Sequence, residues 1–505
     1  MDLSDLFSNL ALGFSVALTL QNIFWCFVGA VVGTAIGVLP GVGPVATMAL
    51  LLPVTYYLPA EGALIMLAGI YYGAQYGGST TAILVNLPGE SSSVITCLDG
   101  YAMARAGRPG PALAIAAIGS FFAGTVATIL IAVAAPPLTY MAQQFGPADY
   151  CSLMILGLVT AVVMAHGSVI KAVGMIFLGL LLGIVGTDVQ SGALRFTFGV
   201  DILFDGINFV PIAMGVFGLN EIMANLTSEH RRDLLSSKVT GLMPTKADLK
   251  ESFGAMVRGT GLGSVLGILP GGGAVLASFA AYTLEKRISN TPEKFGTGMI
   301  QGVAAPESAN NAAAQTSFIP MLTLGIPSNA VMAMMVGGMM IHGIIPGPQV
   351  MTDKPGLFWG MIASMWVGNL MLVVFNLPLV GIWVKMLTVP YRLLSIAILF
   401  FCCIGVYSLN NSADEVLLIA FFGFAGYLFH KLDCEAAPML LGFILGPMME
   451  TYLRRAMLLS RGDPWVFVER PLSLSFLVLA AGLLLLVIVP SIRRAREEAF
   501  VEEEG

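Results

Sequence analysis

The sequence predicts an all-α polytopic membrane protein. It has two inverted-topology repeats with broken or re-entrant helices and an extra C-terminal helix, with the N-terminus outside and the C-terminus inside. Three observations predict this. The 505 residues are 57% hydrophobic and 11% charged, with a mean hydropathy of +0.85, whereas soluble proteins carry about 25% charged residues. Glycine recurs at every fourth position at Gly29, Gly33, Gly37 and Gly41, and again at Gly259, Gly263, Gly267 and Gly271. Both runs end on a Pro-Gly break, Leu39-Pro40-Gly41-Val42-Gly43 and Leu269-Pro270-Gly271-Gly272-Gly273.

Four-residue spacing puts the glycines on one helix face, where a second backbone can approach closely. The earlier glycines of each run are read as packing positions. Gly41, Gly43, Gly271, Gly272 and Gly273, at the breaks, are candidates for a site. Interrupted helices in matching places of two halves are the sequence mark of a secondary transporter's binding site.

The halves match further along the chain. Asn86-Leu87-Pro88-Gly89 corresponds to Leu324-Gly325-Ile326-Pro327, and Pro109-Gly110-Pro111 to Pro346-Gly347-Pro348. The order is kept, which marks an internal duplication. The first repeat covers residues 1–225, a polar cytoplasmic linker 226–251, the second repeat 252–470, and an extra helix with its tail 471–505.

Lysine and arginine set the orientation. The linker carries Arg231, Arg232, Lys238, Lys246 and Lys250 and is expected inside. Arg105 and Arg108 precede the first Pro-Gly-Pro, while the matching stretch 339–345 has no Lys or Arg. Conversely, residues 285–294 carry Lys286, Arg287 and Lys294, and their counterpart 55–61 carries none. Corresponding loops thus prefer opposite sides, as inverted repeats require. Lys171, Lys385, Arg392 and Lys431 fall inside, and residues 136–149 fall in an outside loop. Arg454, Arg455, Arg461 and Arg470 disagree, because the same trace places them outside. They are left open to a partner, a lipid headgroup or a substrate anion. No Lys or Arg precedes Arg105, so a signal peptide's basic region is missing and a retained helix is expected around residues 6–20.

Two segments, 111–135 and 472–489, suit simple spans of about 20 apolar residues. The stretches 42–104 and 272–345 do not, being interrupted at Pro53, Pro59, Gly77-Gly78 and Pro88-Gly89, and at Pro306, Pro320, Gly325 and Pro327. Irregular backbone at membrane depth survives only in contact with protein or a water-filled cavity. These stretches are therefore the candidate core. Ser91 and Ser92 follow the first break, and Ser328 and Asn329 the second. Such residues begin helices, whose free N–H groups and dipole favour a carboxylate. Asn86, Pro88, Gly89, Ser91, Ser92, Gly325, Pro327, Ser328 and Asn329 are thus candidate substrate contacts; plain capping is the alternative. Gly78, Ser79 and Thr80, with Glu307, Asn310 and Asn311, are candidate ion contacts. Glu307 is the only charged residue between Lys294 and Asp353, and ionisable groups at membrane depth are costly. If Pro306 instead opens a helix, Glu307 falls in a first turn favoured by the dipole.

The composition excludes other classes. The thinly spread net charge of −6 gives no basic patch for nucleic acid. No glycine is followed by lysine, so the chain has no Walker A engine. The six cysteines and four histidines lack metal-ligand spacing, and the cysteines are read as small buried hydrophobes. No nucleophile–base pair marks an enzyme. No cofactor is expected beyond a coupling cation.

The motifs then resemble a known family. Gly37-Val38-Leu39-Pro40-Gly41-Val42-Gly43-Pro44, the run from Gly69-Ile70-Tyr71-Tyr72 to Gly78-Ser79, Asn86-Leu87-Pro88-Gly89 and Asp99-Gly100-Tyr101 resemble the large membrane subunit of tripartite tricarboxylate transporters, the TctA family. So do Gly267-Ile268-Leu269-Pro270-Gly271, Pro306-Glu307-Ser308-Ala309-Asn310-Asn311 and Leu324-Gly325-Ile326-Pro327. The likeness spans residues 10–470. It implies a multi-pass permease of the bacterial inner membrane, working with a small membrane subunit and a periplasmic substrate-binding protein. It also implies uptake of tricarboxylates, dicarboxylates or related acids by ion symport, commonly with Na⁺. The alternative is an uncoupled channel or uniporter for small organic anions. Gly89-Glu90-Ser91-Ser92 stands where many relatives carry Gly-Thr-Pro, which leaves side-chain selectivity open.

Overall fold

The computed structural model describes residues 3–39, 43–165, 168–188, 190–227, 241–269, 273–386, 395, 399–400, 402–407 and 411–488. Gly41, Gly271 and Gly272, the half of the linker that holds Arg231, Arg232 and Lys238, Arg392 and the C-terminal tail lie outside the described residues.

The first half contains α1 (Leu3–Ala17), α2 (Leu20–Val38), α3 (Pro44–Thr55), α4 (Ala60–Val85), a mixed helical run over residues 91–105, α5 (Pro109–Ala142), α6 (Pro147–Met164) and α7 (Val169–Gly183). Helical residues 209–227 lead to the linker, with a π-helical stretch at Met214–Leu219. The second half contains α8 (Lys246–Ile268), α9 (Gly273–Ile288), α10 (Gln301–Thr316), α11 (Phe318–Leu324), α12 (Ala330–Ile341), α13 (Pro355–Asn376), α14 (Val380–Met386), α15 (Ala413–Lys431) and α16 (Ala437–Leu459). The extra helix is α17 (Pro471–Ile488). Among these, α2, α5, α13 and α15 are long and apolar enough to cross a membrane. Among the described residues, the fold departs from all-α only at a small antiparallel pair, β1 (Gly186–Thr187) with β2 (Leu194–Arg195).

Two helices form the centre. Residues 62–85 of α4 and 302–316 of α10 are buried on every side. A helix buried all round is normally apolar, yet these carry Gln75, Ser79, Thr80, Glu307, Asn310 and Asn311. The glycine faces explain how such helices pack. On α2, a Cβ at Gly29, Gly33 or Gly37 would lie 2.2, 2.4 and 2.3 Å from the carbonyl oxygens of Met66, Ile70 and Ala74 on α4. On α8, a Cβ at Gly259, Gly263 or Gly267 would lie 2.3, 2.2 and 2.4 Å from those of Ala305, Ala309 and Ala313 on α10. Backbone meets backbone over three successive turns in both pairs. Gly263→Ala should therefore destabilise the protein by about 1–3 kcal/mol through overpacking, although alanine is the better helix former by about 1 kcal/mol. A melting temperature in detergent at or above wild type would contradict this.

Two interruptions read from the sequence are absent. α4 runs unbroken through Gly77-Gly78, where a Cβ on Gly77 would lie 2.4 Å from the Thr34 carbonyl. These glycines serve close packing. Pro306 lies inside α10, which starts at Gln301, so Glu307 is an interior residue rather than a first-turn one. Similarly, α5 continues through Pro136 and Pro137 to Ala142, which shortens the loop expected from residue 136.

Segments that charge assigns to one side lie together. Arg108 bonds Asp248 at 2.6 Å, and Lys171 donates to the Leu432 carbonyl at 2.7 Å. At the other end, Arg470 bonds Asp149, Arg454 bonds Asp188 and Glu450, and Arg195 bonds Glu450. Arg454 and Arg470, anomalous in the sequence, are thus engaged in internal ion pairs. The Gln190 N–H, the Ser191 hydroxyl and Arg454 hold the Asp188 carboxyl down at about 2, which pins the β1–β2 hairpin to α16.

Candidate functional site

Both breaks are built alike. α4 ends on Asn86 in the left-handed region (φ 59°), and α11 ends on Gly325 in the same region (φ 75°). Left-handed residues commonly close helices, asparagine and glycine most readily. Leu87-Pro88 and Ile326-Pro327 follow, and proline disfavours continuing the helix, because it lacks an N–H and its ring clashes with the preceding turn. A new helix then starts on each side. Glu90 caps the run beginning at Ser91, and Asn329 caps α12 by accepting from the Met332 N–H at 2.9 Å. Ser328 donates to the Ser317 carbonyl at 3.4 Å. The first break is pressed into the core, since a Cβ on Gly89 would sit 1.8 Å from the Gly37 carbonyl.

The breaks converge on one cavity of about 300 Å³. Ser91 lines it from the first, and Ser328, Asn329, Ala330 and Val331 from the second. Val45 lines it from the start of α3, and Gly273, Ala274 and Val275 from the start of α9. Those two helices open immediately after the Pro-Gly breaks. The cavity is therefore walled largely by helix first turns, those of α3, the run from Ser91, α9, α12 and α16, with the acidic Glu435 just before the last, and no Lys, Arg or His is among its described lining residues. Helix first turns carry unpaired N–H groups and partial positive charge. The Asn329 Nδ2 is buried without a partner among the described residues.

The predicted contacts divide into three groups. Ser91, Ser328 and Asn329 line the cavity, while Asn86, Pro88, Gly89, Gly325 and Pro327 shape the breaks. Gly43 is the N-cap of α3. Ser92 lies behind the wall, its hydroxyl 2.5 Å from Glu90 Oε2 and 2.6 Å from Gln75 Oε1. Tyr71 and Glu90 also line the cavity. The sequence reading passed over both: Tyr71 is one apolar helix position among many, and Glu90 was noted only as a departure.

The ion candidates form a separate, deeper cluster. Glu307 is fully buried, and its carboxyl accepts from Ser79 and Thr96 at 2.5 Å each and from Asn310 at 3.4 Å. Asn311 donates to Ser120 Oγ at 2.8 Å and to the Glu307 carbonyl at 3.1 Å. Among the described residues, no basic side chain bonds this carboxyl. Gly78 and Thr80 lie in continuous helix, so their carbonyls are not freed by unwinding as the sequence suggested. Gly78 instead abuts Glu90, where a Cβ would be 3.2 Å from its N, and Thr80 lines a small void with Ser79 and Tyr76. The clusters touch through Gln75, whose carbonyl accepts from Ser79 at 3.1 Å and whose side chain meets Ser92. No group of three or more His, Cys, Asp or Glu suited to a metal occurs among the described residues.

Asp99 was also missed as a key residue. It is fully buried and accepts from the N–H groups of Gly296, Gly298 and Met299 at 2.9, 2.8 and 2.7 Å, and from the Tyr282 hydroxyl at 2.9 Å. It locks the first half to the second. Its donors lie almost two hundred residues away, beyond any local signal.

Buried interrupted helices whose first turns close on one polar-rimmed cavity are the arrangement of membrane transport proteins. The chain belongs to the tripartite tricarboxylate transporter TctA family, which it matches over residues 23–441. It is 58% identical over 500 residues to an Agrobacterium vitis protein described as an uncharacterized 52.8 kDa protein in the TAR-I ttuC' 3'region, covering 99% of this chain and all of that one. A second Agrobacterium vitis protein, from the TAR-II ttuC' 3'region, is 58% identical over 242 residues, its whole length and 48% of this chain. No solved structure matches.

Proposed function

We propose that this chain is the large permease subunit of a binding-protein-dependent secondary transporter in the bacterial inner membrane. It imports an organic carboxylate by ion symport, with alternating access. The carrying observation is the cavity walled by five helix starts, with no basic side chain among its described lining residues. Aligned dipoles and unpaired N–H groups at a helix N-terminus attract carboxylates, and secondary transporters hold anionic substrates in this way. Glu307 with Ser79, Asn310 and Asn311 is the proposed site for the coupling cation, Na⁺, because a buried carboxylate without a basic partner is costly until a cation joins it. The two backbone-tight helix pairs and the two left-handed helix ends support the inverted repeats. The grouping of ion pairs at opposite ends supports an N-terminus outside and a C-terminus inside. A small membrane subunit and a periplasmic binding protein complete the assembly.

The test is uptake of labelled citrate, C4-dicarboxylates and terephthalate into proteoliposomes holding this subunit and its two partners, with and without a Na⁺ gradient. Accumulation of one acid that depends on the gradient is expected. Flux that only equilibrates, whatever the gradient, would indicate a channel or uniporter.

A further inference from the structure

The two breaks match in backbone but not in the side chain each turns toward the cavity. At the second stands Asn329, an amide lining the cavity beside the open first turn of α12 and the Tyr71 hydroxyl. At the corresponding position of the first stands Glu90, an acid. A carboxylate facing a site made for carboxylates repels its ligand. Its position is nevertheless tightly fixed. Ser92 holds Oε2 at 2.5 Å, and the Glu90 backbone is wedged against Gly78. The cavity therefore combines helix-start donors with two acidic residues, Glu90 at the first break and Glu435 before α16, and of these only Glu90 belongs to a break. A ligand that satisfies the donors and Glu90 carries a carboxylate and, a few bonds away, a donor.

We propose that Glu90 makes this cavity selective for hydroxycarboxylic acids, its carboxylate accepting the substrate hydroxyl while the Asn329 end holds a substrate carboxylate. This rests on the reading of the cavity as the transport site. An acid lacking the hydroxyl meets the same repulsion with no compensating bond, and a site built to bond a hydroxyl rejects such an analogue strongly. Hydrogen bonds to charged groups are strong enough for a preference of about tenfold to a hundredfold. Glu90 is thus a specificity-determining residue, and the family-like Gly-Thr-Pro sequence in its place would lack the acceptor.

The test is direct binding to the purified full-length subunit, by calorimetry, of two pairs that differ by one hydroxyl: malate with succinate, and citrate with tricarballylate. Wild type is expected to bind the hydroxylated member of at least one pair about tenfold or more tightly. Glu90→Ala is expected to narrow that ratio to about twofold or less, with binding of the unhydroxylated acid equal or improved as repulsion is relieved. Glu90→Gln, melting like wild type, guards against misfolding and should narrow the ratio partway. An unchanged ratio in Glu90→Ala, or equal binding of both pairs by wild type, would overturn the inference and leave the transport reading standing. So would aspartate binding more tightly than malate, because an ammonium would then be the preferred donor. If no acid binds, or if Asn329→Ala leaves every affinity unchanged, both the inference and the assignment of this cavity fail together.

Discussion

Glu307→Gln is expected to lower gradient-driven accumulation by about 5–150-fold, the range of ordinary coupling free energies, while making the ion-free protein at least as stable as wild type. The two effects share one cause. In wild type the carboxyl is fully buried, bonded by Ser79, Thr96 and Asn310, and bonded by no basic side chain among the described residues. A buried charge of this kind is unfavourable until a cation arrives. Binding then stabilises the folded state by an amount that grows with the logarithm of cation concentration. The amide retains an acceptor for one hydroxyl but loses the charge. Melting temperatures in detergent across a Na⁺ series separate this from a structural role. Wild type should rise with Na⁺ and the variant should stay flat. Parallel rises in both proteins would remove Glu307 from the coupling site.

Asp99→Ala should produce the largest loss of stability. Four donors converge on this carboxylate, three of them backbone N–H groups of residues 296–299. Removing the acceptor strands buried donors at about 1–3 kcal/mol each, so a total of about 3 kcal/mol or more is expected if water reaches only some of them. Asp99→Asn keeps one acceptor and should lose less. Comparing the melting temperatures of both variants with wild type checks the order. An alanine variant as stable as the asparagine one would show that the clamp contributes little.

The parts of the molecule legible in the sequence are those set by local rules. The breaks at Asn86-Leu87-Pro88 and Gly325-Ile326-Pro327 follow from a left-handed residue and a proline close together, a local pairing that Pro306, Pro136 and Pro137 lack. The glycine faces were legible because a fixed spacing on a helix leaves few uses. What stayed hidden depended on distant partners. Gly77-Gly78 has the look of a break, yet it is a packing notch, because α2 lies against it. Pro306 has the look of a helix start, yet burial carries the helix through it. Tyr71 and Glu90 became site residues only when α3, α9 and α12 were brought to the same cavity.

The glycine contacts also have a mechanical consequence. Where a backbone rests on another's carbonyls for three turns, neither helix can slide by a residue without driving a Cβ into an oxygen, so α2–α4 and α8–α10 are rigid units. α7 and α16 are locked similarly, with a Cβ on Gly179 falling 2.0 Å from the Met439 carbonyl and one on Gly442 falling 2.5 Å from that of Ile176. The cavity draws its walls from both sorts of unit, with Tyr71 from the first and Pro438 and Leu441 from the second. A large displacement is expected to follow the seam between these blocks, and the seam runs through the cavity.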